Sequence, residues 1–184
     1  SVADEHRAVR NSAGLFDVTH MGVFEARGAG AEAFLDVLTT NDVSRLKVGS
    51  SHYTFLLDVN GQPIDDLLIY RLAAERFLVV VNASNNDENW AWLNAVKDGQ
   101  VRIDAANPSR RLSGTDRVEL RDLRSAAAGA DQRVDIALQG PASRDLLLAL
   151  GDPAWSRGTV ESLTNRAVRL LKHCGVELIV LDEF

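Results

Sequence analysis

Cysteine is nearly absent from this chain. Cys174 is the only thiol in 184 residues, which excludes an internal disulfide and fits a reducing compartment. Its neighbours Lys172 and His173 are of the kind that favour a thiolate, but a small residue just before an aliphatic strand is the plainer reading. Lysine is scarce as well: Lys47, Lys97 and Lys172 stand among 20 basic residues, the rest being arginine, which suits carboxylate-bearing ligands better. The net charge is -6 and no basic stripe is visible, which argues against DNA or RNA as a partner. His6, His20, His52 and His173 are scattered without zinc-site spacing, so no metal is expected. No apolar run approaches the ~18 residues of a membrane helix, and no signal peptide opens the chain, so a cytoplasmic location is expected. There is no G-x-S-x-G, no P-loop and no dinucleotide fingerprint, since Gly28-Ala29-Gly30 lacks the third glycine. Internal repeats and low-complexity segments are missing too.

What is present is ordinary globular material. With 46% hydrophobic and 25% charged residues, the chain can bury a core as one large domain or two small subdomains. The pattern predicts a short helix at Glu5–Arg10 ended by Gly14, then a half-buried strand at Val23–Ala26. Ala33, Phe34, Val37 and Leu38 fall on one helical face. Strands at Tyr53–Leu57 and Ile64–Leu72 flank Asp58-Val59-Asn60-Gly61, whose Asn-Gly is a hairpin signal. A second hairpin through Ala73-Ala74-Glu75 leads into Phe77–Val81. Asn82-Ala83-Ser84-Asn85 offers N-caps for a helix whose apolar face is Trp90, Leu93 and Val96 and which Gly99 closes. Val101–Ala105 reads as another strand, and 107–132 as a surface excursion with a short strand at Val118–Leu123. A strand at Asp135–Leu138, a helix through Leu148 and a buried strand at Val176–Leu181 follow. The order β-α-β-β-β-α-β predicts an α+β fold with a largely antiparallel sheet, not a doubly wound nucleotide fold.

Two segments carry chemistry. Asp65-Asp66 places two carboxylates side by side on a strand, so that one faces a pocket while the other faces away. At the boundary with apolar Leu67, Leu68 and Ile69, such a carboxyl is partly desolvated, which raises its pKa and suits it to proton work or cation stabilisation. Two acids flanking a turn is the alternative, and spacing alone favours it. Gly14-Leu15-Phe16-Asp17-Val18-Thr19-His20-Met21-Gly22 is either a pocket-lining loop or a helix-to-strand connection with a hydrogen-bonded histidine.

Together these residues resemble a known family. Glu5 to Arg10, then Gly14 to Gly22, looks like the opening signature of the aminomethyltransferases (glycine cleavage system T-proteins). Asn41-Asp42-Val43, Tyr53, Gly61 with Ile64-Asp65-Asp66-Leu67, Val80-Val81-Asn82-Ala83-Ser84, and Ala137-Leu138-Gln139-Gly140-Pro141 follow in the family's order and spacing.

The resemblance implies a folate-binding α+β domain with ferredoxin-like βαββ elements. It divides the chain into a first subdomain at 5–105, an excursion at 106–133 and an incomplete second subdomain at 134–184. It implies a transferase of one-carbon metabolism and glycine catabolism, which moves the methylene of an aminomethyl group from the dihydrolipoyl arm of the H-protein to tetrahydrofolate, releasing ammonia. Asp65 is then the carboxylate at the reacting end. Met21, Tyr53, Leu67, Tyr70, Val81 and Asn82 line the folate pocket, with core packing as the alternative for each. In the family the chain continues into an Arg-Thr-Gly-Tyr-Thr-Gly-Glu-type motif and a further domain, so the residues here look like a portion of a longer protein. A folate-dependent demethylase, a sarcosine/dimethylglycine dehydrogenase folate domain and a non-catalytic folate-binding module are the other functions the resemblance allows.

Overall fold

The computed structural model describes residues 1–112, 114–133, 135–143, 145 and 179–180, and the chain divides into two compact units. One comprises residues 1–20 and 133–184, the other Met21–Gln132.

The first unit opens with helix α1 (Val2–Asn11), capped by Ser1 in a reciprocal box with Asp4, and none of its residues is buried. Gly14 does not end this helix, as the sequence suggests. Ser12 is the C-cap, its N–H bonding Ala8, and Gly14 begins strand β1 (Gly14–Asp17). β1 pairs antiparallel with the strand Ile136–Gln139, which pairs parallel with Ile179–Val180. Gly140 follows at φ +113, where a side chain would run into the carbonyls of Val9 and Ser12, so glycine is needed there. The helix expected through Leu148, the rest of the Val176–Leu181 strand and Cys174 lie outside the described residues.

The second unit is built on a five-stranded antiparallel sheet. Its members are β2 (Gly22–Arg27), β3 (Ser51–Leu57), β4 (Pro63–Ala73), β5 (Arg76–Val81) and β6 (Glu119–Asp122), in the order β3-β4-β5-β2-β6. The Asn60-Gly61 turn forms as expected, with Gly61 at φ +78 and the Asp58 carboxylate accepting from the N–H groups of Asn60 and Gln62 at 2.8 Å. β2 sits between β5 and β6 and is buried on both sides, which makes it a central strand, not the half-buried one its alternation predicts. The stretch after Asn107 returns β6 to the sheet beside β2 and buries Val118, Leu123 and Ala128.

Helices α2 (Ala31–Leu38) and α3 (Asn86–Lys97) cover one face. Phe34, Leu35 and Leu38 from α2 and Leu93 and Val96 from α3 join Phe24, Leu56, Leu67, Ile69, Phe77, Val79 and Val81 of the sheet in one core. The buried side of α2 is Ala31, Phe34, Leu35 and Leu38, so Ala33 is exposed and Val37 only partly covered. Trp90 lies against Phe24 with ring centroids 4.8 Å apart.

Val101–Ala105 does not form the expected strand. Val101 and Ile103 reach the core, but the segment is tied to the β3–β4 turn through the Ala105 N–H on Val59 O at 2.8 Å instead of through a ladder.

Opposite the helices, Val23, Leu78 and Val80 are also buried, and so is Glu25. The buried carboxylate is met by two guanidinium groups, Arg76 and Arg121, the latter 3.0 Å from Glu25 and 2.9 Å from Asp131. Gly22 has a packing duty of its own: a Cβ there would fall inside the contact distance of Asn86 Oδ1 and Val81 Cγ2. Gly22→Ala is therefore expected to cost about 1–3 kcal/mol, read as a lower melting temperature in thermal denaturation.

Candidate functional site

Cross-strand register decides which side chains share a face, because directly opposed residues on antiparallel strands point the same way. One row across the sheet is Tyr53–Leu68–Val80–Val23, and beside it lie the pair Phe55–Asp66 and the row Ser51–Tyr70–Leu78–Glu25. The other face carries the row Thr54–Leu67–Val81–Gly22 and the pair Leu56–Asp65.

The acidic pair therefore straddles the sheet, as a strand requires. Asp66 shares its face with Tyr53, Phe55, Leu68, Tyr70 and Val80. Tyr53 and Phe55 are 53% and 41% exposed and meet edge to face, which leaves an open aromatic edge on β3. The Tyr53 hydroxyl donates to Asp66 Oδ2, and that bond holds the phenol pKa above its ordinary value, so Tyr53 stays a protonated donor.

Asp65 points to the helical side and is 5% exposed. Four donors converge on it. Asn82 gives its backbone N–H at 3.2 Å and its side-chain amide at 2.8 Å, Asn85 its amide at 3.0 Å and Asn89 its amide at 2.6 Å. Burial pushes the Asp65 carboxyl up, but the bonds from Asn82, Asn85 and Asn89 outweigh it and leave the pKa below the usual carboxylate value. This reverses the expected direction. Partial desolvation does oppose the charge, yet amide donors aimed at both oxygens restore more than burial removes. Asp65 is a fixed, ionised carboxylate.

Asn82 follows β5 directly and ties the pair together. Its amide nitrogen also donates to Asp66 O and Asp66 Oδ1, both at 3.0 Å, so the side-chain oxygen is what it has left to offer a ligand. Neither Asn82 nor Asn85 caps the 3-10 turn Ala83–Asn85 or α3 through its side chain, as the sequence leads one to expect. Those amides are spent on Asp65.

Of the residues predicted for a pocket, the structure brings Tyr53 and Tyr70 onto one face, with Asn82 at its end. Leu67 (3% exposed) and Val81 (0%) belong to the core beneath the helices, on the face of Asp65, and Met21 stands partly buried just before β2. Asp66, Leu68 and Val80 were missed as members of the Tyr53 face. Strand parity would have found them, since 66, 68 and 70 alternate together. Asn85 and Asn89 were missed because apolar periodicity does not register a buried amide. In the motif at 14–22, Asp17 accepts the Thr19 N–H at 3.0 Å, which lowers its pKa. Among the described residues no group of three or more His, Cys, Asp or Glu could hold a metal ion, and no helix is long and apolar enough to cross a membrane.

The model of the GCVT N-terminal domain family matches residues 1–181. The chain belongs to that family. Among relatives of this GCVT N-terminal domain, an aminomethyltransferase from Geobacillus kaustophilus is 41% identical over 152 residues, covering 83% of this chain and 35% of the relative. One from Prosthecochloris aestuarii is 37% identical over 176 residues, covering 96% and 42%. The crystal structure of glycine cleavage system aminomethyltransferase T from Bartonella henselae superposes with a TM-score of 0.64 at 32% identity, over 83% of this chain and 36% of that one. The α+β fold with antiparallel sheets is thus the fold of this family. The chain spans about a third to two-fifths of the length of these relatives.

Proposed function

We propose that the chain is the folate-binding part of an aminomethyltransferase of the glycine cleavage system. Within the whole protein, it would hold tetrahydrofolate while a methylene passes to it from an aminomethyl group on a lipoylated carrier protein, with ammonia and the reduced arm released. The observation that carries this reading is the sheet face of Tyr53, Asp66, Leu68, Tyr70 and Val80. It joins two phenols, an apolar strip and one carboxylate at the end of the strip. A flat, amine-bearing heterocycle fits such a face, with its ring against the accessible Tyr53 and Leu68, beside the buried Tyr70 and Val80, and its nitrogen end at the acid.

The family resemblance gives the reacting end to Asp65. The side-chain directions support a division between the two acids. Asp66 presents a carboxylate to the folate amine and to positive charge developing on the transferred carbon. Asp65 anchors the arrangement from the other side through Asn82. The family membership and the aminomethyltransferase names of the relatives support the same chemistry.

The test is calorimetric titration of the complete polypeptide with tetrahydrofolate, alongside Leu68→Glu. Binding by the unsubstituted protein, and roughly a hundredfold or greater weakening once a charge stands in the apolar strip, is expected. Equal affinity in the two proteins would move the ligand off this face. Failure to accept an aminomethyl-loaded carrier protein, with folate binding kept, would favour a folate-dependent demethylase.

A further inference from the structure

We propose that Asn89 is a positioning residue for the acidic pair: its buried amide completes the donor set around Asp65, and through Asn82, which bonds both acids, it fixes Asp66 on the ligand face. This rests on the proposed folate site and deepens it.

The geometry of Asn89 is costly for a residue that only fills space. Its side chain is wholly buried in the first half of α3, on the face that otherwise carries Leu93 and Val96. Its amide nitrogen reaches Asp65 Oδ2 at 2.6 Å, while its Oδ1 is buried with no hydrogen-bond partner among the described residues. A leucine would fill the same space without a stranded acceptor of its own. Stranding an acceptor in the core is tolerated where the matching donor is needed. What the donor does here is specific. Asp65 Oδ1 is held by Asn82 and Asn85, and Asp65 Oδ2 by the Asn82 N–H and Asn89, so each oxygen has two donors. Removing Asn89 leaves Oδ2 on one backbone bond of 3.2 Å, so the carboxylate is held mainly through Oδ1 and is less tightly oriented. The Asn82 amide, anchored on Asp65 Oδ1 and on Asp66 O, then has a looser partner on one side, and its bond to Asp66 Oδ1 is loosened with it. The other titratable groups around Asp65 are Asp66 on its own strand and Tyr53 on β3; Asp87 and Glu88 of α3 are exposed.

The experiment uses the complete polypeptide with Asn89→Leu, which keeps the volume and deletes the donor, and with Asn85→Ala, which deletes a less buried donor to the same carboxylate. Three quantities are read: tetrahydrofolate affinity, turnover per folded molecule, and the acid midpoint of Asp65 by carbon NMR of labelled aspartate. For Asn89→Leu, turnover should fall roughly tenfold to a hundredfold with affinity within about threefold. The Asp65 midpoint should move to higher pH, because a donor to the charged form is gone. Asn85→Ala should move all three in the same direction by less. A lower melting temperature with turnover and midpoint unchanged would make Asn89 merely structural and overturn the inference. Should Asn89→Leu fail to fold, an unchanged midpoint in Asn85→Ala overturns it equally. If the unsubstituted protein does not bind tetrahydrofolate, the reading of the site fails first; if it binds and the variants match it, this inference alone fails.

Discussion

Asp66→Asn is expected to reduce aminomethyl transfer by about a hundredfold or more while tetrahydrofolate affinity changes only a few-fold. Binding draws on the whole face, and the contacts that Tyr53 and Leu68 offer do not depend on the charge of residue 66. The charge is needed where the transferred carbon becomes positive, and removing one fixed electrostatic partner from such a place costs roughly 100- to 1000-fold in rate. Asparagine still accepts a hydrogen bond from Tyr53, so the local geometry is kept. Single-turnover transfer from a loaded carrier protein, set beside equilibrium binding, separates the two quantities. A variant that turns over normally would remove Asp66 from the chemistry; one that loses binding in proportion to rate would make it a binding group only.

Asp65→Asn should instead act mainly on the fold. The four donors around residue 65 are placed for an anion, and an amide at that position turns its own N–H₂ toward at least one of them. Losing charge-assisted bonds and leaving donors unmatched in a buried place costs about 2–4 kcal/mol, enough to lower the melting temperature by roughly 10 °C. The pH dependence carries its own sign. Because the folded-state pKa lies below the unfolded one, the unfolded chain takes up a proton first as pH falls. The stabilisation from the charged Asp65 is complete above the ordinary carboxylate range. It shrinks as pH drops below about 4 toward the folded-state value. Denaturant unfolding measured from neutral to acid pH should show the unsubstituted protein and Asp65→Asn converging in acid. Equal stabilities at neutral pH would contradict the donor arrangement.

Much of this was legible from local pattern. Asn60-Gly61 marks its turn because few residues tolerate a positive φ, and the alternations around it mark the paired strands. The acidic pair was also visible, but its orientation was not. Two identical side chains on adjacent residues leave strand parity undecided until a partner of known direction is chosen, and a slip of one residue exchanges faces completely. Tyr70 would have decided it, since it must lie with 68 and 66. Asn89 stayed hidden for another reason: hydrophobic periodicity treats a polar residue as solvent-facing, whereas here it is turned inward by a carboxylate 24 positions away. Val101–Ala105 misled in the opposite sense, because alternation describes half-burial and not the presence of a free strand edge.

The place of β6 bears on how the chain is made. Four strands of the larger sheet are complete by Val81, yet the outer edge of β2 finds its partner only at Glu119–Asp122, with Arg27 facing Glu119 across 92 positions of sequence. A ribosome that has not reached residue 119 therefore holds a nascent sheet with a strand that the finished fold buries on both faces still open along one side. Closure of so distant a pair is slow, and an open edge of that kind recruits other chains. Synthesis of this protein thus has a window of aggregation risk that begins with β5 and closes with β6.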